Sequence, residues 1–567
     1  MARPCSWDLL LIRWILVAVS LSVPRAYASQ SAEQISESYD KPNILVVLID
    51  DLGYSDLGVF GSEIRTPTID ALASSGVTFG DFHAGMTCSP TRAMLLTGMD
   101  HHLVGLGNMA GHVSENQKGR PGYEGYLNHK VDTVATTLRG QGYTTFMAGK
   151  WHLGMVEPYR PSERGFDHSF ALLNAGASQF SDMRRLVDSP SKASYVDDGV
   201  RVDALPSDFH TTEFFTSKLI EYIGRARAPD KPFFGYLALT APHWPYQLPD
   251  KYLDLYQGQY DDGYDTLRER RAESVRQSGL LPEAPDSFPR LDGIPSWNSL
   301  SARERKVESR KMELYAATIE HLDLQLARLF SYLKSIDEFD STAVFLLSDN
   351  GPEGNDRSRI ATNAEWLPEA WDLSYDNMGK QDSYVFYGAG WAQASAAPLH
   401  LFKSHSSEGG TRVPMIVRMP AGKRRGELDH SFTTVMDIVP TILEIAGIDD
   451  SVSKNLERPL PTFHGASLLN LLNNSSMPPH DESYAFGWEL FGHKAIRKGK
   501  WKLLSLAGER DGDSWQLFDI ESDPGESKNL ATQEPEKLAE MQAEWGRYVL
   551  RNNIILPDDP QRGAFGF

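Results

Sequence analysis

Three uninterrupted apolar runs, each stopped by polar residues, constrain this chain more than any other feature. Residues 43–49 read Asn-Ile-Leu-Val-Val-Leu-Ile and end in Asp50-Asp51. Residues 233–240 end in Ala241-Pro242-His243, and residues 343–347 in Ser348-Asp349-Asn350-Gly351. A run without polar alternation suits a strand covered on both faces, as in a parallel sheet between helical layers. Helical patterns at 132–140, 212–227 and 310–334 alternate with these runs. The expected fold class is therefore α/β, with a mixed, mainly parallel sheet flanked by helices. In such sheets ligands collect at the carboxyl ends of the strands, where these runs place acids, an amide and a histidine.

Beyond residues 414–418 and a helix near 437–446 the texture changes. Residues 483–490, 493–506 and 515–520 are short strand-like segments with a turn at Lys498-Gly499, and a helix follows Pro535. This predicts a smaller C-terminal α+β domain with an antiparallel sheet. The first thirty residues differ again: Arg3 and Arg13 precede an apolar run from Trp14 to Val23, and Ala26-Tyr27-Ala28 follows. That is the pattern of a cleaved secretory signal, and the run is about half the ~20 residues a spanning helix needs. The predicted division is a signal peptide at 1–28, a large α/β domain at 29–450 and the smaller domain at 451–567. The protein is expected to be exported, to the periplasm or medium, without stable membrane insertion. A net charge of −20 opposes a polyanionic partner and excludes nucleic acid.

Two cysteines occur, Cys5 and Cys88, and Cys5 leaves with the signal. One unpaired thiol in an exported protein needs a reason. Cys88-Ser-Pro-Thr-Arg92 opens an apolar helical run, which puts Cys88 at a helix N-terminus with Arg92 one turn on, a setting for an anionic reactant. Asp50, Asp51, Asp349 and Asn350 offer only oxygen ligands from two strand ends, which implies a hard cation, Ca²⁺ or Mg²⁺. Lys150 and His152 stand two apart and share a face if extended. His243 and Lys403 follow turn-prone or polar segments.

These residues sit in motifs that resemble the sulfatase family, in particular bacterial calcium-dependent arylsulfatases. The motifs are residues 43–54, Cys88-Ser-Pro-Thr-Arg92, Gly149-Lys-Trp-His-Leu-Gly154, Pro242-His243, Ser348-Asp-Asn-Gly351 and Glu408-Gly-Gly-Thr-Arg-Val-Pro414, with a C-terminal Ile496-Arg-Lys-Gly-Lys-Trp-Lys502. The resemblance implies an alkaline-phosphatase-like fold and hydrolysis of sulfate monoesters to an alcohol or phenol and inorganic sulfate. It implies one Ca²⁺ per chain, held by Asp50, Asp51, residue 88, Asp349 and Asn350. It also implies that a formylglycine-generating enzyme converts Cys88 to formylglycine, whose hydrate attacks sulfur. By the same analogy Arg92 and Lys150 hold residue 88, His243 with Lys403 assists the leaving oxygen, and His152 is the base that releases sulfate. A phosphate or phosphonate ester hydrolase of the same superfamily is the alternative, although it commonly carries histidine where Asn350 stands. A glycan sulfatase and an inactive sulfate-binding protein are further readings. The acidic chain favours small monosulfate esters, aryl sulfates foremost, and Tyr384, Phe386, Tyr387 and Trp391 are candidates for an aromatic wall beside Lys403.

Overall fold

The computed structural model describes residues 41–227, 231–281, 289–356, 361–448, 458–473, 477–507 and 514–560. The predicted signal at 1–28 and the opening of the predicted C-terminal domain at 451–457 lie outside the described residues.

Ten strands form the main sheet: β1 (Asn43–Asp50), β2 (Val77–Phe79), β3 (Thr144–Lys150), β4 (His168–Leu172), β5 (Tyr195–Asp197), β6 (Val200–Val202), β7 (Phe233–Pro242), β8 (Thr342–Ser348), β9 (Met415–Arg418) and β10 (Glu427–Asp429). Their order is β10-β2-β9-β8-β1-β7-β3-β4-β5-β6. The centre, β8-β1-β7-β3-β4, is parallel throughout, while β9 pairs antiparallel with β8 and β5 with β4. This is the mixed, mainly parallel sheet the apolar runs predict. Side-chain alternation explains their uniformity: Leu45, Val47 and Ile49 enter one core layer, and Ile44, Val46 and Leu48 the other. The first layer is completed by the helices Thr211–Ala226 and Ala302–Ser335. The second is completed by Cys88–Thr97, Val134–Gly140 and Ile438–Ile445.

The long helix starts at Ala302, ahead of its apolar spacing, because a capping box fixes its first turn. Ser301 Oγ accepts from the Glu304 N–H at 3.3 Å and the Glu304 carboxylate accepts from the Ser301 N–H at 2.7 Å. A further helix, Gly263–Gln277, lies in a segment rich in charged residues with no apolar periodicity to announce it. Its Arg271 is fully buried against Asp56 and Glu63, so a residue that reads as solvated charge is part of the interior.

At the C-terminal end β11 (Ala485–Leu490), β12 (His493–Lys498), β13 (Trp501–Ser505) and β14 (Gln516–Asp519) form an antiparallel sheet in sequence order. Lys498 pairs with Trp501, so the hairpin turn is Gly499-Lys500, one residue later than predicted, with Gly499 at φ 55°. One face, with Phe486, Trp488, Ala495 and Leu504, joins the second core layer of the main sheet. The other, with Ile496, Leu503 and Leu517, packs on Met541, Trp545 and Tyr548 of the helix Pro535–Asn552.

Buried ion pairs also tie this sheet to the larger one. Arg497 grips Asp81 at 2.7 and 2.8 Å, and Lys502 joins Glu408 at 2.8 Å to Glu526 at 2.9 Å. Arg412 lies 3.4 Å from both Asp81 and Glu408. Three acids thus face three bases in this network. That balance is what makes their burial tolerable.

Candidate active site

Four adjacent strands, β8, β1, β7 and β3, end at one edge, and each delivers a polar group there: Asp349-Asn350, Asp50-Asp51, His243 and Lys150. The turn after β1 is tight, with Asp51 at φ 68°. It is pinned where the Leu52 N–H donates to Ser348 Oγ at 3.0 Å and the Asp51 N–H to Asp349 Oδ1 at 3.2 Å. His152 is also left-handed, at φ 55°. The condition under which Lys150 and His152 would share a face, an extended chain, is therefore not met at His152.

Residue 88 comes from a helix of the second core layer. The helix Cys88–Thr97 is buried at every position and begins at Cys88. Pro90 falls in its first turn, where no N–H is needed for an intrahelical bond, and Arg92 lies one turn on from Cys88. The Cys88 thiol donates to Asp50 Oδ1 at 3.3 Å and lies 3.9 Å from Asp51 Oδ1. Burial, then Asp349 and Asp50, push its pKa well up, so the sulfur stays protonated.

Charges around it are paired one by one. Arg92 donates to Asp349 Oδ2 from Nε at 3.1 Å and Nη2 at 2.7 Å, and from Nη1 to the Lys150 carbonyl at 2.8 Å. Lys150 Nζ lies 2.6 Å from Asp50 Oδ2, and Lys403 Nζ lies 2.8 Å from Asp51 Oδ1. His243 Nε2 stands 3.6 Å from Asp51 Oδ2, and its Nδ1 lies 2.6 Å from the Trp244 carbonyl. Asn350 joins them, and nine of the ten predicted site residues therefore meet by direct contact, while His152 is near enough to feel the charges of Lys150 and Arg92.

Two groups were not read from the sequence. Glu353, in the loop after β8, lies 3.3 Å from Lys403 Nζ, and Asn355 donates to it from its N–H at 3.0 Å. Glu353 stands two residues past Ser348-Asp-Asn-Gly351, but its partner lies fifty residues on, beyond the reach of any local pattern.

The electrostatics separate the three aspartates. Burial opposes charge on Asp50, yet Lys150 and Arg92 hold it below the usual carboxylate range. Burial lifts Asp51 to about 7, with Asp50, Glu353 and Asp349 adding to the lift against Lys403. Asp349 is also raised, by burial and by Asp50. Both histidines are held neutral: burial and then Lys403 bring His243 to about 3, and burial with Lys150 and Arg92 depresses His152. His152 Nδ1 is buried without a hydrogen-bond partner among the described residues, and so is Asn350 Oδ1.

Asp50, Asp51, Cys88 and Asp349 each offer a ligand atom within 4.8 Å of the others. Asn350 faces the same set through its amide, with Nδ2 donating to Asp51 Oδ1 at 2.7 Å, and three crowded carboxylates with no histidine among them fit a hard divalent cation, whose charge would relieve the crowding that raises Asp51 and Asp349.

Of the four aromatic residues expected as a wall beside Lys403, Tyr384, Tyr387 and Trp391 are interior, and Phe386 is partly buried against the same core layer. Trp391 packs edge-on against Tyr260, Tyr264 and Trp297, and Tyr387 lies against Tyr315 and Tyr246. The aromatic group beside His243 is instead Trp244, with ring centroids 4.8 Å apart, backed by Tyr384.

A family model described as Sulfatase matches residues 42–448. The chain belongs to the sulfatase family. A second model, N-sulphoglucosamine sulphohydrolase C-terminal, matches residues 401–549 and spans the C-terminal sheet and the Lys403 loop. The chain is 40% identical to an uncharacterized sulfatase of Schizosaccharomyces pombe over 92% of its length and 95% of that protein. It is 35% identical to an arylsulfatase of Klebsiella aerogenes over 80% of its length and 95% of that protein. The structure of Ps i-CgsB bound to a neocarrahexaose superposes with a TM-score of 0.63, covering 93% of this chain and 94% of that one at 22% identity. That likeness fixes the fold, the mainly parallel sheet with its C-terminal four-stranded partner. Hydrolysis of sulfate esters is the chemistry this membership supports. Among the described residues no helix is long and apolar enough to cross a membrane.

Proposed function

We propose that this sulfatase is exported and cleaves small sulfate monoesters, aryl sulfates foremost, to a phenol or alcohol and inorganic sulfate. The observation that carries the reading is the setting of residue 88, within hydrogen-bonding reach of Asp50 and ringed by Arg92, Lys150, Lys403 and His243. A thiol kept protonated among carboxylates is a poor nucleophile. The position calls instead for a nucleophile that carries no charge in the resting site. Formylglycine, made from Cys88 by a formylglycine-generating enzyme, supplies a neutral hydroxyl for attack at sulfur when hydrated.

Asp50, Asp51, Asp349 and Asn350, with an oxygen of residue 88, would hold one Ca²⁺, which supplies positive charge toward the sulfuryl oxygens. Ca²⁺ suits the site better than Mg²⁺ because carboxylates from separate strands form an irregular oxygen set.

The chain's own groups divide the remaining work. Arg92, locked by Asp349 and the Lys150 carbonyl, and Lys150 itself orient residue 88. His243, neutral in the resting site, must take up a proton as the anionic ester binds before it can, assisted by Lys403, deliver one to the leaving oxygen. His152, neutral and with a free Nδ1, takes the proton from residue 88 that releases sulfate. The name of the Klebsiella relative adds support for aryl esters.

The test compares kcat/KM for nitrophenyl sulfate with that for defined sulfated oligosaccharides on the mature protein, with Cys88→Ala as control. A clear preference for the aryl ester, abolished in C88A, is expected. Preference for the oligosaccharide would make the enzyme a glycan sulfatase.

A further inference from the structure

Asp56 and Arg271 are both completely buried, and the chemistry at residue 88 uses neither. Burying a carboxylate is costly, so its partners show what it is there to hold. Asp56 Oδ1 accepts from Arg271 Nη1, and Asp56 Oδ2 accepts from the Gly53 N–H at 2.8 Å and from the Tyr315 hydroxyl at 2.6 Å. Gly53 stands two residues past Asp51, and the same Tyr315 hydroxyl lies 3.4 Å from the Asp51 carbonyl oxygen. The Asp56 carboxylate thus closes the loop that begins at Asp51.

That loop has strain to contain. Asp51, at φ 68°, lies in the left-handed region, which a residue with a Cβ keeps only where its surroundings over-determine it. Ser55 fastens the far side, its N–H and hydroxyl donating to the Ser395 carbonyl at 3.0 and 2.9 Å. The packing is close as well: a Cβ at Gly53 would lie 2.4 Å from the Ser395 carbonyl oxygen and 2.5 Å from Asp56 Oδ2. Residues 51–56 therefore have little room to drift while Asp56 stays in place.

Arg271 is anchored outside the loop. Its Nε and Nη2 donate to Glu63 at 3.0 and 2.9 Å, Nη2 also reaches Ser62 Oγ at 3.1 Å, and the Tyr260 hydroxyl donates to Glu63 Oε1 at 2.7 Å. A planar fork with donors on three nitrogens spans Asp56, Ser62 and Glu63, and a lysine ammonium cannot. The helix Gly263–Gln277 is in this way tied through one side chain to the Asp51 loop.

We propose that Arg271 and Asp56 are positioning residues for the divalent cation: by fixing residues 51–56 they set the Asp51 carboxylate as a ligand and so determine the affinity for Ca²⁺. This rests on the sulfatase reading with one bound calcium ion. Groups one step behind the ligands typically change metal affinity by about ten- to a hundredfold.

The test is the dissociation constant of Ca²⁺ from the mature, loaded protein, read by competition with a chromophoric chelator. Arg271→Lys and Asp56→Asn should each weaken binding by about tenfold or more. Tyr315→Phe, which removes one donor and keeps the ring, should weaken it by about threefold or more. Met541→Ala, a cavity beneath the C-terminal sheet, controls for lost stability: it should lower the melting temperature and leave calcium affinity unchanged. Folded Arg271→Lys and Asp56→Asn proteins with wild-type calcium affinity overturn the proposal, as does an equal loss of affinity in Met541→Ala. Should neither of the first two variants fold, Tyr315→Phe decides by the same criterion. Wild-type protein that binds no calcium overturns instead the reading of the site on which the proposal stands.

Discussion

Arg92 does what no other side chain there can do, because its planar fork reaches Asp349 through two nitrogens while a third bonds the Lys150 carbonyl. Lysine has one nitrogen and cannot span those partners. Arg92→Lys is expected to lower kcat by about two orders of magnitude or more, by analogy with the loss of one preorganised donor, and steady-state kinetics check this. His243 is argued to protonate the leaving oxygen, so its effect depends on how much help that oxygen needs. His243→Ala should cut kcat/KM for alkyl sulfates far more than for nitrophenyl sulfates, and equal losses would mean the role is misassigned. The ten predicted site residues were legible because most stand at the end of an apolar run or in a motif around one. Glu353 was not, since its meaning comes from Lys403. The left-handed backbone of His152 was not legible, because spacing in a sequence does not reveal it.

Strands and helices carry these residues to one edge, and buried charge fixes how the elements meet. Lys502 lies between Glu408 and Glu526, all three inaccessible to water. Lys502→Met would take the nearest cation from two buried carboxylates, leaving Glu408 with Arg412 at 3.4 Å, a loss of roughly 3–5 kcal/mol by denaturant unfolding, whereas a surface lysine would cost almost nothing. A second junction joins the main layer to the C-terminal sheet through His102, whose ring nitrogens lie 2.7 Å from Asp100 and 3.2 Å from Glu489. Burial opposes protonation there, but Asp100 and then Glu489 outweigh it and raise the pKa to about 9 from an ordinary 6.5. A raised folded-state pKa stabilises fully below about 6.5, and that contribution disappears as pH climbs through about 9. The stability difference between wild type and His102→Gln should therefore shrink across that window. A difference constant from pH 6 to about 9.5 would contradict it. At this scale the sequence was informative for apolar elements and weak for polar ones. The helix Gly263–Gln277 and the first turns of Ala302–Ser335 are held by Arg271 and by a capping box rather than by an apolar face.

Across the whole molecule, one sheet, two core layers and a site at the carboxyl edge were foreseeable, because strands buried on both faces admit few other arrangements. How closely the C-terminal sheet joins the main core was not, since the residues that join it are separated by hundreds of positions, as Arg497 and Asp81 are. A cation bridging the ends of the adjacent strands β1 and β8 should stabilise the entire fold. Chelation of calcium is expected to lower the melting temperature, and re-addition of Ca²⁺ should restore it more effectively than Mg²⁺. A ligand at a hundred times its Kd contributes about 2.7 kcal/mol. The account stands or falls, however, on the chemical state of residue 88. Peptide mass spectrometry of active protein should find the peptide containing Cys88 with an aldehyde or its hydrate in place of the thiol, in proportion to sulfatase activity across preparations. Full activity in protein whose residue 88 is entirely cysteine would contradict it.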